Sequence, residues 1–70
     1  MQRVQINTPY IKLGQFLKFV NLIANGSEEK LFLLTNVVYV NDEKENRRGR
    51  KLYPGDQIKI ADETYELVCD

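Results

Sequence analysis

The chain has 70 residues, of which 43% are hydrophobic and 29% charged, and its 10 basic and 10 acidic side chains give a formal net charge of zero. A chain this short is close to the lower limit for unaided folding, so we expect one domain over residues 1–70 with nearly every apolar side chain in a shared core. The absence of His and the single cysteine, Cys69, exclude the usual zinc-ligand sets, Cys–His and Ser–His catalytic pairs and an internal disulfide.

The first half of the chain predicts a strand followed by two short helices. Apolar and polar residues alternate over residues 4–6, which indicates a half-buried strand. A stripe of apolar residues with three- and four-residue spacing then predicts one amphipathic helix. Ser27 lies in a turn signal and is expected to be the N-cap of a second helix. That helix is expected to end at Thr35, with Asn36 as a candidate for the left-handed residue that follows a helix.

The second half predicts short strands separated by turns. Residues 37–40 are β-branched and aromatic, residues 57–60 alternate apolar and polar side chains, and residues 65–68 predict a final strand. The acidic residues Asp42, Glu43 and Glu45 predict a solvated turn after the first of these strands. Two helices followed by a small sheet predict a single α+β domain.

Charge is strongly segregated along the chain. Residues 47–51, which we call the basic loop, hold four cations around a glycine, whereas residues 52–70 hold five acids and one lysine. A guanidinium group can bind a phosphate through two parallel hydrogen bonds, and Gly49 permits close approach of the backbone to a ligand. The loop by itself is typical of a nucleic-acid contact, of a solvated surface loop or of a nuclear localisation signal, and composition does not separate these three interpretations.

Five segments combine into a more specific pattern. They are Leu13-Gly14-Gln15-Phe16-Leu17-Lys18-Phe19, Gly26-Ser27-Glu28-Glu29-Lys30, Val38-Tyr39-Val40-Asn41-Asp42, Arg47-Arg48-Gly49-Arg50-Lys51-Leu52 and Pro54-Gly55-Asp56. Together they resemble the S-four RNA-binding domain, and within it the stand-alone YaaA group of small bacterial proteins. The resemblance implies an α+β fold, the alpha-L motif, in which two packed helices lie on a small, bent, mostly antiparallel sheet. Asn21, Asn36 and Asp42 stand where this family often has glycine.

The resemblance also implies a set of RNA-facing residues on the helices, the hairpin turn and the basic loop. Carried over by position, they are Lys18, Ser27, Lys30, Asn41, Arg47, Arg48, Arg50 and Lys51. Recognition would act on the backbone phosphates and the shape of structured RNA, with ribosomal RNA or a ribosomal assembly particle as the expected partner. Tyr53, beside the basic loop, is a further candidate for stacking on a base.

The expected role is non-catalytic. We expect no enzyme activity, no metal, no cofactor and no small-molecule substrate. Because no apolar run approaches the ~20 residues of a membrane span and no signal-peptide pattern is present, we expect a cytoplasmic monomer that does not contact membranes. The alternative from another class is a protein-interaction adaptor whose basic loop binds an acidic partner.

Overall fold

Two helices pack on one face of a five-stranded sheet in the computed structural model, which describes residues 1–69. The helices are α1 (Leu13–Phe19) and α2 (Glu29–Thr35), and one turn of 3₁₀ helix (Gly26–Glu28) leads into α2. The strands are β1 (Gln2–Ile6), β2 (Ile11–Lys12), β3 (Val38–Val40), β4 (Glu43–Lys44), β5 (Lys51–Leu52), β6 (Gln57–Ile60) and β7 (Glu63–Cys69). Within residues 1–69, no helix has the length and apolar character needed to cross a membrane.

The main sheet has the strand order β1-β7-β6-β3-β4. Strand β1 runs parallel to β7, and the other neighbours in this sheet are antiparallel. Strands β2 and β5 form a separate two-stranded antiparallel ribbon. The predicted α+β architecture, with two helices on a mostly antiparallel sheet, is therefore confirmed.

The core lies between the helices and the inner face of the main sheet. Ile58 and Ile60 point inward from β6 because side chains alternate along a strand, and they join Phe16 and Leu17 of α1. Each fully buried side chain of this size contributes about 1.5–3 kcal/mol from removal of its surface from water. Lys59 lies between the two isoleucines and is exposed, so it marks the outer face of the sheet.

The hairpin that joins β3 to β4 uses two residues with left-handed backbone conformation. Asn41 has φ 51° and Asp42 has φ 69°, which is typical of the type I′ turns that match the twist of two antiparallel strands. Asn21 also has a positive φ, 64°, and follows Val20, the C-cap of α1. Asn and Asp tolerate this conformation better than most residues, so the fold accommodates both replacements of glycine.

Two predicted helix-end residues have different roles from those expected. Ser27 is not the N-cap of α2, because the 3₁₀ turn is inserted before that helix and Asn25 caps the turn instead. The Asn25 Oδ1 accepts hydrogen bonds from the Ser27 backbone N–H at 3.1 Å and from the Ser27 hydroxyl. Asn36 has φ −131°, which is extended rather than left-handed. Its side chain ends α2 by donating a hydrogen bond from Nδ2 to the carbonyl oxygen of Phe32 at 3.1 Å.

Candidate nucleic-acid interface

The main chain of the basic loop is fixed against the beginning of α1. The backbone N–H of Leu13 donates to the carbonyl oxygen of Arg50 at 2.8 Å, and that of Gly14 donates to the carbonyl oxygen of Arg48 at 2.9 Å. The first N–H groups of a helix have no partner inside the helix, so these two bonds satisfy donors that would otherwise need solvent or a cap. Lys12 is at the N-cap position, and its side chain makes no capping hydrogen bond. The carbonyl oxygens of the basic loop act as the acceptors that a capping side chain would provide.

A buried carboxylate organises the side chains of the loop. The side chain of Glu45 is only 5% exposed. Its Oε2 accepts hydrogen bonds from the backbone N–H groups of Asn46 and Arg47, both at 3.1 Å, and from Arg47 Nε at 3.0 Å. Its Oε1 accepts from Arg47 Nη2 at 3.1 Å and from Arg50 Nη1 at 2.8 Å. One acid therefore holds two of the four cations and two backbone amides.

These bonds keep Glu45 ionised over the physiological range. The hydrogen bonds from Arg47, helped by Arg50, lower the pKa of the Glu45 carboxyl from 4.5 to about 2, although burial acts in the opposite direction. The same hydrogen bond raises the pKa of Arg47. Glu45 and Arg47 therefore both remain charged. A buried carboxylate without such partners would strongly destabilise the fold.

The prediction that Glu45 lies in a solvated turn is wrong. Its backbone N–H donates to the carbonyl oxygen of Val38 at 2.8 Å, so the chain stays beside β3 beyond β4 and the Glu45 side chain is directed beneath the basic loop. Asp42 and Glu43 are exposed as predicted. The sequence does carry a signal for the observed contact, since Glu45 lies two residues before Arg47 and five before Arg50.

The remaining cations near the loop are less neutralised. Lys30 and Arg48 line one surface depression together with Asn46, and neither forms an ion pair with another of the described residues 1–69. Lys51 places its Nζ 4.8 Å from the ring centroid of Tyr10. Tyr10, which the sequence analysis did not select, therefore lies beside the candidate interface.

Three of the predicted contact residues lie in other hydrogen-bonded groups. Lys18 Nζ lies 3.8 Å from Glu29 Oε2 and so connects α1 to the first turn of α2, close to the turn that holds Ser27. Asn41 uses its Oδ1 to accept from the Gln57 N–H at 2.9 Å and its Nδ2 to donate to Asp56 Oδ1 at 3.0 Å. Among residues 1–69, no hydrogen bond or ion pair joins these three side chains to the basic loop.

A family model described as "S4 domain" matches residues 4–68. The chain belongs to the S4 domain family. A curated Bacillus subtilis (strain 168) protein named "Probable ribosome maturation protein RlbA" is 53% identical over 57 residues, which cover 81% of this chain and 80% of the relative. The relative is thus scarcely longer than one S4 domain, and the resemblance to a stand-alone member of this family is confirmed.

Proposed function

We propose that this S4 domain binds structured RNA through backbone phosphates and helix shape, and that the RNA is ribosomal RNA, either free or in an assembling ribosomal particle. The role is non-catalytic and is carried out by a cytoplasmic monomer. The observation that carries the proposal is a cluster of cations on a main chain fixed to α1, beside which Lys30 and Arg48 have no acidic partner among residues 1–69. The name of the Bacillus relative, which refers to ribosome maturation, supports the choice of RNA.

The two arginines held by Glu45 retain donors for phosphate. The bonds to Glu45 use Nε and Nη2 of Arg47, and 73% of that side chain is exposed, so Nη1 is free to face a ligand. The Arg50 side chain is 30% exposed, and within residues 1–69 it binds Glu45 through Nη1 alone. A guanidinium group has five N–H donors in a plane, so each arginine can bridge the buried carboxylate and an RNA phosphate.

Shape and charge recognition suits a duplex RNA partner. An A-form helix hides its base edges in a deep, narrow groove and exposes phosphates and 2′-hydroxyl groups, so a small cationic surface reads geometry rather than sequence. The depression between α2 and the basic loop is lined by Lys30, Asn46 and Arg48. An amide can donate to a 2′-hydroxyl or a phosphate oxygen between two such cations.

The test is the salt dependence of binding to a ribosomal RNA hairpin. The informative variant is Lys30→Ala with Arg48→Ala, because neither residue supports the buried carboxylate and the fold should be unchanged. We expect the wild type to show a logarithmic salt slope on the order of −3 to −5, and the double variant to lose about 2 of it. Lys59→Ala, on the outer face of the sheet, is the matched control and should retain the wild-type slope.

The ribosomal part of the proposal needs a separate measurement in cell extracts. We expect the protein to co-sediment with ribosomal particles, and ribonuclease treatment or the Lys30→Ala, Arg48→Ala change to release it. Co-sedimentation that survives ribonuclease would point instead to a protein-interaction adaptor. Equal hairpin affinity of the wild type and the double variant, both folded by circular dichroism, would refute the proposed interface.

A further inference from the structure

The ribbon formed by β2 and β5 brings two tyrosines together. Its register pairs Ile11 with Leu52 and Lys12 with Lys51. One step further along the same antiparallel register, Tyr10 lies opposite Tyr53, and their ring centroids are 5.9 Å apart with the planes tilted by 50°. The two residues are 43 positions apart in the sequence, so only the fold creates the pair.

The two sides of the ribbon differ completely in character. Because side chains alternate along a strand, Ile11 and Leu52 share the inner side, and Leu52 is fully buried. The opposite side carries two tyrosines and two lysines, and we call it the tyrosine face; its members are Tyr10, Lys12, Lys51 and Tyr53. Both tyrosines are partly open to solvent, with 37% of Tyr10 and 48% of Tyr53 exposed.

The tyrosine face is continuous with the candidate RNA interface. Lys51 belongs to both, since it ends the basic loop and its ammonium lies over the Tyr10 ring. Tyr53 is three positions after Arg50, which is about 10 Å of extended chain. Exposed aromatic rings interleaved with cations are the combination that binds unstacked bases, because each base has a π face and each nucleotide carries a phosphate.

We propose that the tyrosine face binds an unpaired nucleotide that adjoins the docked RNA stem. The base stacks on the exposed ring surface of Tyr53 or Tyr10, and Lys12 and Lys51 contact its phosphates. The RNA recognised by this S4 domain is accordingly a junction between a helix and a single strand. This inference rests on the proposed function and specifies the class of RNA that the same surface takes.

The experiment compares three RNA hairpins that share one stem. The first ends blunt, the second carries two unpaired adenosines at its 5′ or 3′ end, and the third carries two abasic nucleotides in their place. We expect the adenosine tail at one of the two ends to tighten binding about five- to 150-fold over the blunt stem, the range that stacking of a base provides. The abasic tail keeps the phosphates and removes the bases, so we expect it to lose most of this gain.

Two tyrosine variants separate stacking from folding. Tyr10→Phe with Tyr53→Phe keeps both rings and should keep the gain, whereas Tyr10→Leu with Tyr53→Leu should lose the gain and keep blunt-stem affinity. Phe19→Leu changes an exposed aromatic residue of α1 outside the ribbon and is the matched control. In the wild type, which has no Trp, quenching of tyrosine fluorescence by the adenosine tail but not by the abasic tail provides a readout without mutation.

The outcomes distinguish this inference from the function on which it rests. Equal affinity for blunt and tailed stems, or a gain that the abasic tail or the leucine variant retains, would overturn the tyrosine face as a base-binding site. The proposed stem contact would stand in those cases. Failure of the wild type to bind any of the three hairpins would instead refute the proposed function itself.

Discussion

Replacement of Glu45 by Gln should destabilise the fold by about 2–3 kcal/mol. One amide oxygen can keep the bonds from the backbone N–H groups of Asn46 and Arg47, but the amide NH₂ then faces Arg47 Nη2 and Arg50 Nη1. Two charge-assisted bonds, worth roughly 1.5–3 kcal/mol each, are lost. Arg47 is largely exposed and regains water, so its share is small. Arg50 is less exposed, and most of the loss comes from its bond.

The assay is chemical and thermal unfolding followed by circular dichroism at neutral pH. For a domain of this size, a loss of 2–3 kcal/mol corresponds to a fall in Tm of about 10–20 °C. Glu43→Gln is the matched control, because Glu43 is exposed in the neighbouring strand, and it should change stability by less than about 0.5 kcal/mol. If both variants unfold within 0.5 kcal/mol of the wild type, the buried carboxylate does not hold the basic loop in the way described.

Three further predictions follow from the same contacts and backbone angles. Because the folded pKa of Glu45 lies below its unfolded value, the stabilisation of about 2–3 kcal/mol from its ionised form is complete above about pH 5 and lost as the pH falls toward 2. Between about pH 5 and pH 2 the free energy of unfolding should therefore fall less in Glu45→Gln than in the wild type. Ala61 has φ 55°, a left-handed conformation that is strained for alanine and not for glycine. Ala61→Gly should therefore stabilise the protein by about 1 kcal/mol, and a lower free energy of unfolding in denaturant would show that the backbone is not strained there. Asn25→Ala should lower the free energy of unfolding by about 1 kcal/mol, and Ser27→Ala should lower it less, because Asn25 is the cap of the 3₁₀ turn. A lower unfolding midpoint for Ser27→Ala than for Asn25→Ala would instead identify Ser27 as the cap.

The sequence predicted those parts of the fold that depend on local patterns. The apolar spacing of Leu13, Phe16 and Leu17 fixes which side of α1 is buried, and all three side chains are fully buried. Asn21 has φ 64°, and only the resemblance to a family that often has glycine at this position pointed to it. Asn36 follows a helix too, yet its side chain reaches back to Phe32 and the backbone extends into β3, so residue type alone did not decide between the two endings.

The organisation of the site depended on contacts that no local pattern specifies. Glu45 was predicted to lie in a solvated turn because it follows two other acids, Asp42 and Glu43. The continued pairing of the chain with β3 instead places its side chain under the basic loop. Tyr10 had no basic neighbour on its N-terminal side, and its place beside Lys51 arises from the register of a two-residue ribbon. The cations themselves were evident as a cluster, but which of them are neutralised became visible only in three dimensions.

The hydrogen bonds between α1 and the carbonyl oxygens of Arg48 and Arg50 bear on the thermodynamics and kinetics of recognition. A loop whose main chain is already ordered loses mainly side-chain rotamer freedom when a ligand arrives, and not the larger entropy of ordering a backbone. Association should then proceed at a rate set by electrostatic steering, steeply dependent on ionic strength and without a slow rearrangement step. Calorimetry should find a small heat-capacity change, because neither a disordered segment nor a large apolar surface is newly buried on binding.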